Sequence, residues 1–227
     1  MQHMISRSQT NYLLNIVEKE ASSDSPEAVI AIIFAVCALE TFINEVHEFV
    51  KSSVENWSKA VDFENEYLFI EVMDDLEWSR ASLLKKYVVG KRLLTLAHYD
   101  KGKKSYADMV TLIDLRNAII HLKPITMKMD DEGIPKHSHK DLLKKLMSNN
   151  LIKRVDLESK ELINWIALLQ DGIAATWALD IACRTIEEFL GSIKKEPFKT
   201  FINMVITGPA KVKLHNSKDV VRLDAED

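Results

Sequence analysis

Apolar residues recur along most of this chain at intervals of three and four, the spacing that lays one stripe along an α-helix. The first such stretch, 8–21, aligns Tyr12, Leu13, Ile16 and Val17, and Ser22-Ser23-Asp24-Ser25 breaks it. Ser25, Pro26 and Glu27 then read as N-cap, first-turn proline and first-turn acid of a longer helix, predicted to run to about residue 54. Its first half is apolar on nearly every side (Val29, Ile30, Ile32, Ile33, Phe34, Val36), which suits the middle of a bundle. Its second half keeps Phe42, Ile43, Val46, Phe49 and Val50 on one side and turns polar elsewhere.

Two helix-patterned stretches of opposite charge follow. The first carries Glu55, Asp62, Glu64, Glu66, Glu71, Asp74, Asp75 and Glu77; the second carries Arg80, Lys85, Lys86, Lys91, Arg92, Lys101, Lys103 and Lys104, with a turn at Tyr99-Asp100-Lys101-Gly102. Each charge run reads either as a solvated helix face or, for the basic one, as a surface for an anionic partner. Ser105-Tyr106-Ala107-Asp108 has the spacing of a capping box, and a helix is predicted from 106 to about 122, stopped by Pro124. Between 124 and 139 the pattern lapses. Residues 125–129 read as a short strand before the Asp130-Asp131-Glu132-Gly133 turn, or as a plain excursion.

A short amphipathic helix is predicted over 140–147 and a long one over 159–190, with Trp165, Leu169, Ile173, Trp177 and Ile186 on its apolar face and Gly191 at its end. Residues 198–206 are expected to pack back, and 208–227 to form a mobile tail. Long helices with brief connections imply an all-α, up-and-down helical bundle. The expected organisation is one domain over 1–207, with an irregular insertion at about 123–139.

Composition agrees with this. Six glycines and five prolines in 227 residues leave helices largely uninterrupted. The net charge of −4 speaks against a polycation that coats nucleic acid, without excluding a local basic surface. Cys37 and Cys183 both fall in apolar helical stretches, and two buried thiols in a reducing compartment are the simplest reading. Residues 1–20 have no signal-peptide character, and the apolar run 28–39 falls short of the roughly 20 residues that span a bilayer. A cytoplasmic protein without membrane contact is expected.

The 106–122 helix is mostly apolar around its circumference, through Met109, Val110, Leu112, Ile113, Leu115, Ala118, Ile119, Ile120 and Leu122. Asp114, Asn117 and His121 interrupt it at spacings of three and four, which places them on one face. Arg116 lies beside that stripe, rotated by roughly 100–140° from His121. Arginine and histidine are expensive to bury alone, so they are expected to face each other, a second subunit or a groove. The plainer reading has Asp114 salt-bridged and His121 hydrogen-bonded at a helix end.

The string Leu115-Arg116-Asn117-Ala118-Ile119-Ile120-His121 resembles the R-x4–6-H motif of HEPN (higher eukaryotes and prokaryotes nucleotide-binding) domains, where a polar residue also follows the arginine. The segment Ala38-Leu39-Glu40-Thr41-Phe42-Ile43-Asn44-Glu45 looks like the long second helix of many HEPN proteins. The resemblance implies RNA cleavage without metal or cofactor in catalytic members, by attack of a ribose 2′-hydroxyl on the adjacent phosphate. The residue types suit that chemistry. A histidine moves protons near neutral pH, and an arginine stabilises charge on a phosphorane-like transition state through always-charged donors. Arg116, His121 and Asn117 are then the catalytic candidates, with Asn117 placed to orient the imidazole or the phosphate. Asp114, Glu40 and Asn44 are auxiliary candidates; Glu40 and Asn44 read equally as the start of a solvated face.

The resemblance further implies a homodimer whose two motif helices meet across a two-fold axis, which would also cover excess apolar surface. RNA is the expected partner, with Lys85, Lys86, Lys91, Arg92, Lys140, Lys144 and Lys145 as candidates for its backbone. An antitoxin protein is a further expected partner, since such domains serve as toxins or abortive-infection (phage defence) effectors. The alternative is a non-catalytic HEPN module that pairs with a nucleotidyltransferase-type antitoxin or binds a nucleotide. No glycine-rich phosphate loop or metal-site spacing is present; His137 and His139 form a pair without a third ligand.

Overall fold

The most apolar part of the chain forms one thirty-residue helix, α2 (Ala28–Trp57), in the computed structural model, which describes residues 8–57, 63–121, 128–129, 135–136, 140–157 and 164–195. The other elements are α1 (Gln9–Ala21), α3 (Glu64–Trp78), α4 (Leu83–Thr95), α5 (Lys104–Ile120), α6 (Lys140–Ser148) and α7 (Asp171–Ser192). A two-residue antiparallel ladder joins β1 (Lys128–Met129) to β2 (Pro135–Lys136), and a 3-10 turn covers Trp165–Leu168. The fold is an all-α helical bundle. Its described residues group into two compact units, drawn from the ranges 1–15, 37–99 and 185–227 for the first and 16–36 and 100–184 for the second. Helices α1, α2 and α7 contribute to both.

The first unit is built on aromatic packing. Phe42 of α2, Tyr87 of α4 and Phe189 of α7 meet with ring centroids 5.6 to 6.3 Å apart, two of the three pairs edge to face. The Tyr87 hydroxyl donates to the Leu39 carbonyl at 2.8 Å, so its buried polar end is satisfied. Gly90 lets α4 approach closely: a β-carbon there would stand 3.3 Å from Phe69 and 3.4 Å from Ile43. At the start of α1, the Glu45 carboxylate accepts from the Ser8 and Thr10 hydroxyls and from the Gln9 backbone N–H. Helix α3 ends in a Schellman turn: Ala81 N–H reaches the Leu76 carbonyl, Arg80 N–H reaches Glu77, and Arg80 takes the left-handed conformation (φ 52°). Helix α4 begins with Ser82 as N-cap and stops at Leu96 (φ 56°), ahead of the expected Tyr99–Gly102 turn.

In the second unit, the start of α2 is capped from α7. The Asp171 carboxylate accepts the Ala28 N–H, and Glu27 rather than Ser25 provides the first helical carbonyl. The predicted capping box of α5 is corrected likewise. Lys103 is the N-cap without a side-chain bond, Ser105 lies inside the first turn, and Asp108 instead binds Lys104. Helix α6 closes in a second Schellman turn, with Asn150 left-handed (φ 56°) and the buried Leu151 N–H donating to Leu146.

The long 159–190 helix is the largest correction. Leu169 is extended and bridges Ile152, and Gln170 N–H donates to Leu151, so the helix opens only at Asp171. The buried row of α7 is therefore Ala174, Ala175, Ala178, Ile181, Ala182, Ile186 and Phe189, while Ile173 is half exposed. Of the predicted 125–129 strand, 128–129 is present as β1; residues 125–127, 198–206 and 208–227 lie outside the described residues.

Ala28–Asn56 is long and apolar enough to cross a membrane, a test that the core helix of a folded domain also passes, and half of its most apolar window is buried in the protein.

Two outcomes test this account. Gly90→Leu should destabilise the protein by about 1–3 kcal/mol through overpacking, read from denaturant midpoints. Burial, aided by the neighbouring Tyr99, raises the Tyr87 phenol, and burial with the Glu188 charge raises that of Tyr99. Both stay protonated when folded, so their stabilisation holds below the unfolded tyrosine value near pH 10 and is lost as pH rises above it. Alkaline melts should show that loss, and the double variant Tyr87→Phe/Tyr99→Phe should flatten it.

Candidate functional site

The motif helix α5 buries one side and exposes the other. Asp108, Met109, Thr111, Leu112, Ile113, Leu115 and Ile119 form the buried side. Asp114, Asn117 and His121 are exposed, so the stripe read from the sequence faces solvent. Ile120, within the same arc, is 49% exposed, an apolar group without cover between two polar ones. Arg116 is half-buried on the adjoining flank.

His121 is the C-cap of α5 rather than a residue of its last turn. It leaves helical geometry (φ −100°, ψ 42°), and its backbone N–H donates to the Asn117 carbonyl at 2.9 Å. That bond ties the histidine to the residue one turn earlier. His121 thus stands at the negative end of the helix dipole, where the last carbonyls have no helical N–H to accept from. Arg116 starts about 7.5 Å earlier along the axis and roughly 140° around it. One copy of α5 therefore presents the two side chains in different directions.

Helix α6 packs on α5 within this unit. Lys145 Nζ stands 3.4 Å from the Asp114 carboxylate, and both side chains are about half exposed (47% and 49%), so the pair contributes little to stability. Lys144 is exposed beside it and Lys140 is half-buried at the start of α6. Lys145 gives the Asp114 end of the stripe a cationic neighbour.

The basic stretch of α4 divides differently. Lys85 and Arg92 are exposed, but Lys86 and Lys91 are buried (5% and 3% exposed) and held internally. Lys86 pairs with Glu77, while Lys91 contacts Glu188 at 2.7 Å and lies over the Tyr99 ring. Lys86 and Lys91, expected to contact an RNA backbone, are thus placed as buried ions paired with the more exposed Glu77 and Glu188. Glu40 and Asn44 are exposed on the part of α2 that belongs to the first unit. His137 and His139 lie outside the described residues, among which no three metal-ligating side chains converge.

One polar cluster of the second unit was not singled out from the sequence. Asp108 is buried (3% exposed), bound by Lys104 at 2.7 Å and approached by Arg184 at 3.9 Å, which also pairs with Asp180. The spacing of four in Lys104/Asp108 and Asp180/Arg184 was the available signal. This cluster anchors α5 at its start, opposite to the end that carries His121.

Compared with family models, with curated proteins and with solved structures, the chain gives no match.

If the exposed stripe is there for a ligand rather than for the fold, removing it leaves stability unchanged. Asp114→Asn, Asn117→Ala and His121→Ala should each keep thermal stability within about 0.5 kcal/mol of the parent, measured by denaturant melts.

Proposed function

We propose that the chain is a metal-independent endoribonuclease of the HEPN type, acting as a toxin or phage-defence effector in the cytoplasm. The observation that carries this is the solvent-facing stripe Asp114–Asn117–His121 at the end of a helix whose other side is buried, two of its three residues falling within the Arg116-Asn117-Ala118-Ile119-Ile120-His121 string. A ribose 2′-oxygen attacks the adjacent phosphorus, the bond from phosphorus to the 5′-oxygen breaks, and a cyclic phosphate and a 5′-hydroxyl result. His121 moves the proton between the attacking and leaving oxygens, and Arg116 offsets the extra negative charge of the transition state. Asn117 orients the imidazole or the phosphate.

One helix cannot aim Arg116 and His121 at one phosphate, given their angular separation. Two copies related by a two-fold axis can, and Ile120 supplies an apolar contact for that meeting. On α6, Lys144 and Lys145 then stand beside the cleft as backbone contacts. The exposed Ile120 equally suits a second reading, a non-catalytic module docked to an antitoxin of the nucleotidyltransferase type or holding a nucleotide.

The test is incubation of the purified chain with total RNA in the presence of chelator. Cleavage yielding cyclic-phosphate ends is expected. His121→Ala should lower the rate by about 10²–10⁴-fold and Arg116→Ala by about 10²–10³-fold, with folding intact. Cleavage undiminished in both variants would remove them from the chemistry. Absence of cleavage by a folded, dimeric parent would leave the binding-module reading.

A further inference from the structure

Helix α3 has two faces of different chemistry. Glu66, Phe69, Met73 and Leu76 are buried and define its inner side. On the opposite side Tyr67, Leu68, Glu71, Asp75 and Trp78 fall within an arc of roughly 100°. Three of these are large apolar residues left in water: Trp78 is 91% exposed, Tyr67 54% and Leu68 46%. Isolated exposed apolar residues are ordinary, but three on one helical stripe, with a nearly bare tryptophan at its end, mark a contact surface.

Most acids of α3 are held by partners within the protein. Glu66 binds Lys195 at 3.0 Å, Asp74 meets His47 and Lys51, and Glu77 pairs with Lys86. Glu71 and Asp75, on the outer stripe between the apolar groups, have no ion-pair partner among the described residues.

We propose that the outer face of α3 docks a basic amphipathic helix of a partner protein. The charge fixes the sign of the partner: Glu71 and Asp75 repel RNA and anionic lipid, and lysine or arginine complements them. The apolar residues fix its class, since a tryptophan and a tyrosine flanking two carboxylates match a protein segment with apolar anchors. The spacing fixes its form. Tyr67, Glu71, Asp75 and Trp78 follow at four, four and three, the period of a helix seam, over about 16 Å of helix. The surface is independent of the nuclease reading, because none of its residues belongs to the Arg116–His121 helix.

The probe is a labelled amphipathic helix of lysine and leucine, with its glutamate–leucine counterpart, titrated into the full chain by fluorescence anisotropy. The lysine–leucine helix should bind at least about tenfold tighter than its counterpart. Trp78→Ser or Tyr67→Ser should each weaken it by about tenfold or more. Glu71→Gln/Asp75→Gln should weaken it too and reduce its salt dependence. Leu96→Ser, a comparably exposed position on another segment, should change nothing. All these side chains are exposed, so the variants should melt with the parent. The proposal is overturned if the basic helix does not bind, or binds Trp78→Ser and Glu71→Gln/Asp75→Gln as tightly as the parent. It is also overturned if Trp78→Ser abolishes self-association of the chain, or its binding to phosphatidylcholine vesicles, which would assign the face to a second copy or to lipid.

Discussion

The burial of α2 is the largest single demand among the described residues. Its first half is apolar around most of its circumference, and Ala28, Ala31, Ile32, Ala35, Val36, Ala38 and Leu39 are fully or almost fully hidden. Each large aliphatic side chain hidden from water contributes on the order of 1.5–3 kcal/mol, an upper range because the unfolded chain already hides part of it. A helix of this kind needs neighbours on several sides, and residues of α4 and α7 supply some of them. Tyr87 and Phe189 close on Phe42, Gly90 lets α4 come near Ile43, and Asp171 caps the first turn. Where α2 becomes polar its acids are reused, as Glu45 is at the start of α1.

The second constraint is charge. Ions carried inward must be paired, because an unpaired buried charge costs several kcal/mol. Glu66, Lys86, Lys91 and Asp108 are all buried, and all have partners of opposite sign. The opposite charges of α3 and α4 thus have a structural share as well as a surface share. What lies outside that pairing is more informative. Glu71 and Asp75 of α3, and Asn117 and His121 of α5, are exposed and form no ion pair among the described residues.

For the site, the sequence was a good guide to the face and a poor guide to its terminus. The spacing of Asp114, Asn117 and His121 put them on one side, and that side is exposed. That His121 caps the helix, instead of belonging to it, depends on where the backbone departs from helical angles, which no periodicity encodes. The status of Lys86 and Lys91 was also illegible. Charge marks a lysine as a surface candidate, whereas its burial depends on Glu77 and Glu188, nine and ninety-seven residues along the chain.

Residue order alone determined the helical class, most helix positions and the polar interruption of α5, because those follow from local spacing of apolar and polar groups. It also marked the acidic and basic stretches, though not which charges turn inward. Tertiary structure decided the rest. The bridge from Leu169 to Ile152 broke the predicted 159–190 helix, and the carboxylate of Asp171 took over the cap expected of Ser25. In each case a partner distant in sequence satisfied a backbone or charged group, and contacts of that kind are set by packing in three dimensions rather than by neighbours along the chain.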